Sequence, residues 1–177
     1  SLALSDSSIS VNIKTDIELC HIPFIMLTAL EDMENHIHGM EYGADSYITK
    51  PFNLKYLEIS VQKLIENRKK IKEHFSRNHS LPKNIKISGI DREFVEKVNK
   101  AILENLDNSS FGVEELSEAV NLSTSHFYRK LKQLTGQIPN VYIRNYRLQT
   151  AADLISNNPG ISVKNVMYEV GFESASH

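Results

Sequence analysis

The sequence contains no tryptophan, and Cys20 is its single cysteine. One thiol cannot close an internal disulfide, so redox chemistry is not indicated. No apolar run approaches the roughly 18 residues that cross a bilayer, and the N-terminal S-L-A-L-S-D-S-S lacks the basic start and long apolar core of a signal peptide. Neither sign of charge dominates, because 20 Lys and Arg oppose 22 Asp and Glu. We therefore expect a cytoplasmic globular protein.

Signatures of catalysis and metal binding are also missing from the sequence. There is no glycine-rich phosphate loop and no G-x-S-x-G elbow. His36 and His38 are two residues apart on a predicted helix and so face different directions, and no H-E-x-x-H or Cys/His ligand set occurs. We therefore expect no catalytic residue, no metal site, no cofactor and no small-molecule substrate in this chain.

The N-terminal part of the chain alternates strand and helix patterns. I-P-F-I-M-L-T at 22–28 predicts a strand buried on both faces, and A-D-S-Y-I-T-K at 44–50 predicts a second strand that Pro51 ends. A helix is predicted between them, ending at Gly43, from the spacing of Met33, Ile37 and Met40.

A further helix is predicted after Asn53, which is a favourable N-cap residue. Its predicted apolar face consists of Leu54, Leu57, Val61, Leu64 and Ile65. Strand, helix, strand and helix make a parallel α/β unit. Two strands cannot close a core, so we interpret this segment as part of a larger domain.

The composition changes after the α/β segment. Residues 66–80, E-N-R-K-K-I-K-E-H-F-S-R-N-H-S, are polar and mostly basic, and Pro82 follows them. This pattern predicts a linker over 72–90. From Asp91 onward only helical periodicity remains, and its short connections predict a compact all-helical domain. The apolar positions of its predicted helices are Phe94, Val95, Val98, Ile102 and Leu106; Val113, Leu116, Ala119 and Val120; Phe127, Leu131 and Leu134; and Tyr142, Ile143, Tyr146, Leu148, Ala151, Leu154 and Ile155.

Residues 113–135 predict two helices joined by the turn N-L-S, with Ser123 as the N-cap of the second. Such a helix-turn-helix presents its second helix to a major groove. The predicted outward positions of that helix are Ser125, His126, Tyr128, Arg129 and Lys132. Residues 121–152 hold five basic residues and no acidic one, namely Arg129, Lys130, Lys132, Arg144 and Arg147. This excess indicates a surface for a polyanion, although a solvated helical surface would carry similar residues.

A second copy of the pattern follows the long predicted helix. I-S-V-K-N-V-M-Y-E-V-G-F at 161–172 predicts a short helix capped by Ser162 and ended by Gly171. E-S-A-S-H at 173–177 could begin its partner helix. Two copies would let one molecule reach two successive major-groove segments, which lie about 34 Å apart.

The C-terminal motifs resemble the AraC family DNA-binding domain over roughly residues 91–177. The resemblance is carried by N-L-S-T-S-H-F-Y-R-K-L-K-Q-L-T-G, I-P-N-V-Y-I-R-N-Y-R-L-Q-T-A-A-D-L-I and V-K-N-V-M-Y-E-V-G-F. It implies base-facing roles for Ser125, Tyr128 and Arg129, and phosphate contacts for Lys132 and Arg144. For His126 and Arg147 a DNA contact and a contact within the domain both stay open.

The N-terminal motifs H-I-P-F-I-M-L-T-A and G-A-D-S-Y-I-T-K-P-F resemble the C-terminal half of a response-regulator receiver domain. The resemblance implies that Thr28 senses an aspartyl phosphate, that Lys50 pairs with it and that Tyr47 is the switching aromatic. It also implies a cis peptide bond between Lys50 and Pro51. A phosphoryl group adds a charge of about −1.5 to −2, which a hydroxyl and an ammonium at adjacent strand ends can hold.

No residue among 1–20 matches the receiver's phosphoacceptor aspartate or its Mg²⁺-binding acidic pair, so Mg²⁺ is expected only in a complete receiver. The predicted fold class is an α/β remnant of a parallel-sheet receiver (1–71), a linker (72–90) and an all-α double helix-turn-helix domain (91–177) truncated in its second reading helix. This order resembles the C-terminal end of hybrid two-component sensors, which fuse a sensor histidine kinase to its own regulator. Histidine kinase activity and a membrane anchor would belong only to such a full-length parent.

Two function classes follow from these patterns. The first is a sequence-specific transcription regulator under phosphorelay control, with double-stranded DNA and an upstream histidine kinase domain as partners. The second is a protein–protein interaction or dimerisation module that does not bind DNA. The half receiver would leave apolar strand faces uncovered, so we also expect a homo-oligomer.

Overall fold

A computed structural model describes residues 16, 19, 22–29 and 44–173 of the chain. The chain divides into two compact units. The N-terminal unit comprises the described residues up to His74 together with Pro82–Glu93, and the C-terminal unit comprises Phe75–Leu81 together with the described residues from Phe94 onward.

The N-terminal unit contains a parallel pair of strands, β1 (Ile25–Ala29) and β2 (Ser46–Lys50). The register places Thr28 beside Thr49 and Ala29 beside Lys50. The predicted strands and their parallel pairing are therefore confirmed, while the helix predicted around Met33, Ile37 and Met40 lies outside the described residues. Parallel strands favour β-branched and apolar residues because both faces are usually covered.

Helix α1 (Leu54–Phe75) begins where Asn53 was predicted to cap it, and the Asn53 Oδ1 atom accepts the backbone N–H of Lys55 at 2.7 Å. Of the predicted apolar face, Leu57 and Leu64 are half-buried, whereas Leu54, Val61 and Ile65 are exposed. The exposed apolar side chains of α1 are Leu54 (78%), Tyr56 (56%), Ile59 (42%), Val61 (42%) and Ile65 (58%). Burial is complete only at the end of the helix, at Ile71 and Phe75.

A buried ion triad links three segments of the N-terminal unit. The Arg68 guanidinium lies 2.9 Å from the Asp45 carboxylate and 3.2 Å from that of Asp91. All three side chains are at most 14% exposed. Because a buried charge is costly without a partner, the triad specifies how α1 packs on the segment before β2 and on the start of the next helix.

The C-terminal unit is helical, as predicted. It contains most of α2 (Gly89–Glu104), followed by α3 (Val113–Ala119), α4 (Thr124–Thr135), α5 (Pro139–Asn157) and α6 (Val163–Glu169). Its most deeply buried apolar side chains are Phe75, Val95, Val98, Ile102, Leu116, Phe127, Leu131, Tyr142, Val166 and Val170. Each such side chain contributes about 1.5–3 kcal/mol through its removal from water.

Two of the apolar positions predicted for the long helix α5 are not in the core. Leu148 is 47% exposed and Ile155 is 42% exposed. Each residue of an α-helix turns by about 100°, so Leu148 lies about 120° around the helix from Tyr142. The prediction joined residues that belong to different faces of one long helix.

Candidate nucleic-acid interface

Helices α3 and α4 form the predicted helix-turn-helix. In the turn between them Asn121 has a φ of 57°. The backbone N–H of Leu122 donates to the carbonyl of Ser117 at 3.0 Å, which closes the turn on α3. Asparagine tolerates the left-handed region better than other side chains, so this residue suits the turn.

Both ends of α4 are capped by residues that the sequence marks. The Ser123 Oγ atom accepts the backbone N–H of His126 at 3.3 Å, as predicted for the N-cap. At the other end Gly136 has a φ of 79°, and its N–H donates to the carbonyl of Lys132 at 2.8 Å. The length of α4 is thus set by local interactions.

The exposed side of α4 carries polar, aromatic and basic side chains. Ser125, Arg129 and Lys132 are exposed, and Tyr128 is 40% exposed. The Lys132 Nζ atom lies 5.9 Å from the centre of the Tyr128 ring, within the range of a cation–π contact. These groups can hydrogen-bond to base edges or neutralise phosphates. Arg144 is exposed as well, on the first half of α5.

Lys130 and His126 do not belong to this exposed face. Lys130 is 9% exposed, and its Nζ atom lies 4.9 Å from the centre of the Phe94 ring. His126 was predicted to point outward and is 7% exposed. The sequence did contain a signal for Lys130, because it lies three residues after Phe127 and four before Leu134, on the apolar face of α4.

The Arg147 side chain makes its contacts within the domain and is only 7% exposed. Its Nη1 atom donates to the carbonyl of Gly171 at 3.2 Å, and its Nη2 atom donates to the carbonyl of Asn108 at 2.6 Å. Burial lowers the pKa of the guanidinium from its ordinary value. With Lys130 and Arg147 buried, the exposed basic side chains of the 121–152 segment are Arg129, Lys132 and Arg144.

The second copy repeats the first at an interval of 50 residues, from Val113 to Val163. After α6 the backbone N–H of Phe172 donates to the carbonyl of Met167 at 2.8 Å, as Leu122 does to Ser117. Gly171 has a φ of 77°. Ser162 precedes α6 as predicted, although its side chain makes no capping hydrogen bond. The partner helix predicted from E-S-A-S-H lies outside the described residues after Glu173.

The residues of the predicted receiver switch lie on the two strands. Thr28 is 6% exposed, and its hydroxyl has no hydrogen-bond partner among the residues that the structure describes. Lys50 is exposed at the end of β2, and Tyr47 is partly buried in the same strand. The Lys50–Pro51 peptide bond is cis, as the resemblance implies.

Sequence reasoning missed two residues of the C-terminal unit. Gln137 follows α4, and its side-chain amide donates to the carbonyl of Phe75. His79 is 8% exposed, although it lies in the polar segment predicted as a linker. No short-range pattern marks either residue, because both act across large separations along the chain.

A short helix, a turn with a left-handed residue and a capped second helix with an exposed basic face define a helix-turn-helix DNA-binding domain. The family model described as "Helix-turn-helix domain" matches residues 116–177. These residues form a helix-turn-helix domain of the AraC type, so the resemblance to the AraC family is confirmed over residues 116–177.

Relatives extend the comparison to the N-terminal unit. The "Histidine kinase P4" of Formosa agariphila is 36% identical over 166 residues, which are 93% of this chain and 12% of that protein. The "Probable transcriptional regulator ycf27" of Porphyridium aerugineum is 32% identical over 155 residues, 79% of this chain and 61% of that protein. The "Transcriptional regulatory protein CiaR" of Streptococcus pneumoniae is 40% identical over 52 residues, 29% of this chain and 23% of that protein.

The chain thus spans less than two thirds of the length of these relatives. No solved structure matches it. Among the described residues, none of the helices has the length and apolar character that crossing a membrane requires.

Proposed function

We propose that the chain is a sequence-specific DNA-binding transcription regulator of a two-component system. The observation that carries the proposal is the exposed face of α4, where Ser125, Tyr128, Arg129 and Lys132 stand together on a helix capped at both ends. In a helix-turn-helix this helix enters the major groove. The helix-turn-helix match and the relatives named as transcriptional regulators support this function.

Within this proposal the side chains of α4 have different tasks. Ser125, Tyr128 and Arg129 face the bases, and Arg129 can donate two parallel hydrogen bonds to a guanine. Lys132 and Arg144 neutralise phosphates, which strengthens binding to every sequence. His126 and Arg147 are buried and therefore have roles within the domain and not at the DNA.

Control by phosphorelay is part of the proposal. The Thr28 hydroxyl lies buried near the end of β1, and Lys50 lies at the end of the neighbouring strand. A longer parent protein would supply the phosphorylated aspartate, Mg²⁺ and a histidine kinase domain, and the relative named as a histidine kinase supports such a parent. In this proposal residues 1–71 are the receiver remnant, residues 91–177 are the DNA-binding domain, and residues 72–90 connect the two.

A DNA titration tests the function. A duplex would first be selected from a random-sequence library by the 177-residue chain, and affinities would then be measured for this duplex and for a scrambled one across a salt series. Arg129→Ala should cost about 1–3 kcal/mol on the selected duplex and relax its sequence preference. Lys132→Ala should weaken binding to both duplexes alike and reduce the salt slope by about one.

Arg92→Ala is the matched control, because Arg92 is an exposed arginine near the start of α2 and lies outside the helix-turn-helix of α3 and α4. It should leave the preference for the selected duplex unchanged. Equal binding of both duplexes by the unmodified chain, or an Arg129→Ala chain with an intact preference, would contradict the assignment of α4 as a reading helix.

The exposed apolar side chains of α1 favour a second activity, self-association. Leu54, Val61 and Ile65 recur at intervals of seven and four residues, as apolar residues of one helix face do. We propose that a second copy of the chain covers them, since a free apolar stripe of this length is unusual on a monomer. Sedimentation should show a dimer that Ile65→Lys dissociates, whereas Gln62→Lys, at an exposed position of the same helix, should not.

A further inference from the structure

The segment Phe75–Leu81, which we call the strap, lies within the range predicted as a linker but belongs to the C-terminal unit. Phe75 is fully buried there and His79 is 8% exposed. The neighbouring residues of the strap that are exposed are Ser76, Arg77, Asn78 and Ser80. A flexible linker has no reason to bury two side chains, so the strap is a packed element of the DNA-binding unit.

Gln137 connects the strap to the end of α4. Its Nε2 atom donates to the carbonyl of Phe75. Its backbone N–H donates to the Thr135 Oγ1 atom at 3.2 Å, and its Oε1 atom accepts the Asn145 side-chain amide at 2.8 Å. One glutamine directly after the C-cap of α4 therefore joins the strap, the last residue of α4 and helix α5.

The second attachment of the strap is at His79. Its carbonyl accepts the Asn99 side-chain amide at 2.8 Å, and the Asn99 Oδ1 atom accepts the Tyr142 hydroxyl at 2.8 Å. The His79 ring meets the rings of Tyr142 and Tyr146 edge-on, with centre distances of 5.1 and 5.9 Å. The strap is thus fastened to α2 and α5 by hydrogen bonds and by aromatic contacts.

The first residue of the strap is also the last residue of α1, because Phe75 ends that helix. Any displacement of the end of α1 must move the Phe75 carbonyl, to which Gln137 is bonded. The Phe75 ring lies 6.4 Å from the Tyr142 ring, so the same displacement disturbs α5. Packed elements of this kind transmit small shifts because they do not deform continuously.

We infer that the strap is the coupling element through which the N-terminal unit acts on the first reading helix, with Gln137 as the positioning residue that links the two. This inference rests on the proposed DNA-binding function, since it names how that function is regulated. A strap that only fills the core would contribute stability and leave the choice of DNA sequence unchanged. A strap that positions α4 changes that choice.

Two substitutions of Gln137 separate these roles in the 177-residue chain. Gln137→Met keeps the side-chain volume and loses every side-chain hydrogen bond. Gln137→Glu keeps an acceptor for Asn145 and loses the donor to Phe75. Both should lower the ratio of affinities for the selected and scrambled duplexes by about fivefold or more, with an unchanged salt slope. The control Gln149→Met alters an exposed glutamine of α5 that donates to Asp153, and it should leave the ratio unchanged.

A double-mutant cycle tests the connection itself. Phe75→Leu removes part of the buried side chain that packs the strap against the core. Its effect on the affinity ratio should largely disappear when Gln137→Met is already present. Additive effects would mean that the two residues act independently, and would overturn the inference. An unchanged ratio in both Gln137 variants would overturn it as well.

Hydrogen exchange of the free chain gives a readout that does not depend on DNA. Gln137→Met should speed amide exchange in the strap and throughout α4, including its first turn after Ser123. If the unmodified chain selects no duplex, the proposed function fails, and exchange alone decides on the strap. Unchanged exchange in α4 would then overturn the coupling role, and faster exchange would support it.

Discussion

The turns of the two helix-turn-helix copies follow the same backbone path. They differ in the residue that occupies the left-handed backbone conformation. Asn121 has a φ of 57° and Gly171 a φ of 77°. In each turn the next residue donates its N–H to a carbonyl five residues earlier, from Leu122 to Ser117 and from Phe172 to Met167. The same fold of the chain is therefore reached with two different side chains.

The surroundings of the two turns explain the difference. Asn121 is exposed. A Cβ atom at Gly171 would lie 2.5 Å from the carbonyl oxygen of Leu106 and 3.0 Å from the Arg147 Cζ atom. A positive φ by itself tolerates asparagine, whereas a positive φ in a closely packed turn requires glycine. The second copy is thus tied to the rest of the unit at a point where the first copy faces water.

The strongest test of this comparison removes the residue that ties the second turn. Arg147→Ala removes the donor to the Gly171 carbonyl and empties a buried site, while the Asn108 carbonyl keeps only its bond from the Phe111 N–H at 3.1 Å. We expect it to lower the free energy of unfolding by about 3–4 kcal/mol, measured by urea denaturation. Arg144→Ala, at an exposed arginine of the same helix, should change it by less than about 0.5 kcal/mol. Equal effects of the two substitutions would show that burial of Arg147 does not matter.

The next test exchanges the turn glycine. Gly171→Ala adds a methyl group where backbone already lies and forces alanine into the left-handed region. Strain and overpacking together should cost about 2–3 kcal/mol of unfolding free energy. The matched change Asn121→Ala meets only the backbone penalty and should cost about 1 kcal/mol. If the two alanine variants were equally stable, close packing would not distinguish the turns.

A smaller effect concerns pH. Because the strap contacts the first helix-turn-helix copy, lower pH should destabilise the first copy more than the second. Burial lowers the pKa of His79 below its ordinary 6.5. The rings that face it are Tyr142 and Tyr146, whose pKa values burial raises, so both stay neutral. His79 and Tyr146 line a surface cavity, in which Asp153 is the charged lining residue.

The sign of the pH effect follows from the direction of the shift. Well above pH 6.5 His79 is neutral whether the strap is docked or free, and the docked strap has its full stability. As the pH falls below 6.5, the free strap takes up a proton more readily, so docking weakens until the lowered pKa is reached. Amide exchange, corrected for the pH dependence of its intrinsic rate, should therefore speed up in α4 at a higher pH than in α6. His79→Phe should abolish this dependence, and loosening that persists in His79→Phe would assign it to another group.

The smallest expected effect is that of Asn121→Gly. Glycine adopts the left-handed region without strain, which offsets its larger loss of backbone entropy on folding. The free energy of unfolding should therefore change by no more than about 0.5 kcal/mol, as thermal or urea denaturation would show. A large loss would reveal a contact of the Asn121 side chain that is needed for the turn.

Local patterns predicted the elements that local physics controls. Ser123 and Asn53 were predicted as N-caps because their side chains accept hydrogen bonds from nearby backbone groups, and both do so. The spacing of Phe127, Leu131 and Leu134 predicted the buried face of α4, and all three are buried. The parallel pairing of β1 and β2 followed from two short apolar runs separated by a predicted helix.

The tertiary fold decided the roles of individual charged and polar residues. Lys130 is buried over Phe94, which belongs to another helix. Arg147 reaches carbonyls 24 and 39 residues away along the chain. Leu54, Val61 and Ile65 of α1 are exposed although their apolar spacing predicted a buried face, because burial requires a partner surface as well as a pattern.

The sequence by itself determined the helices, their caps and the repeated turn, because those features depend on groups within a few residues of each other. It determined the type of domain for the same reason, since the turn and the polar face of α4 are local patterns. Only the tertiary structure decided that Gly171 must be glycine, that Arg147 binds within the domain and that the strap joins the DNA-binding unit. Each of these depends on which distant backbone carbonyls and rings come together, and no spacing along the chain encodes that directly.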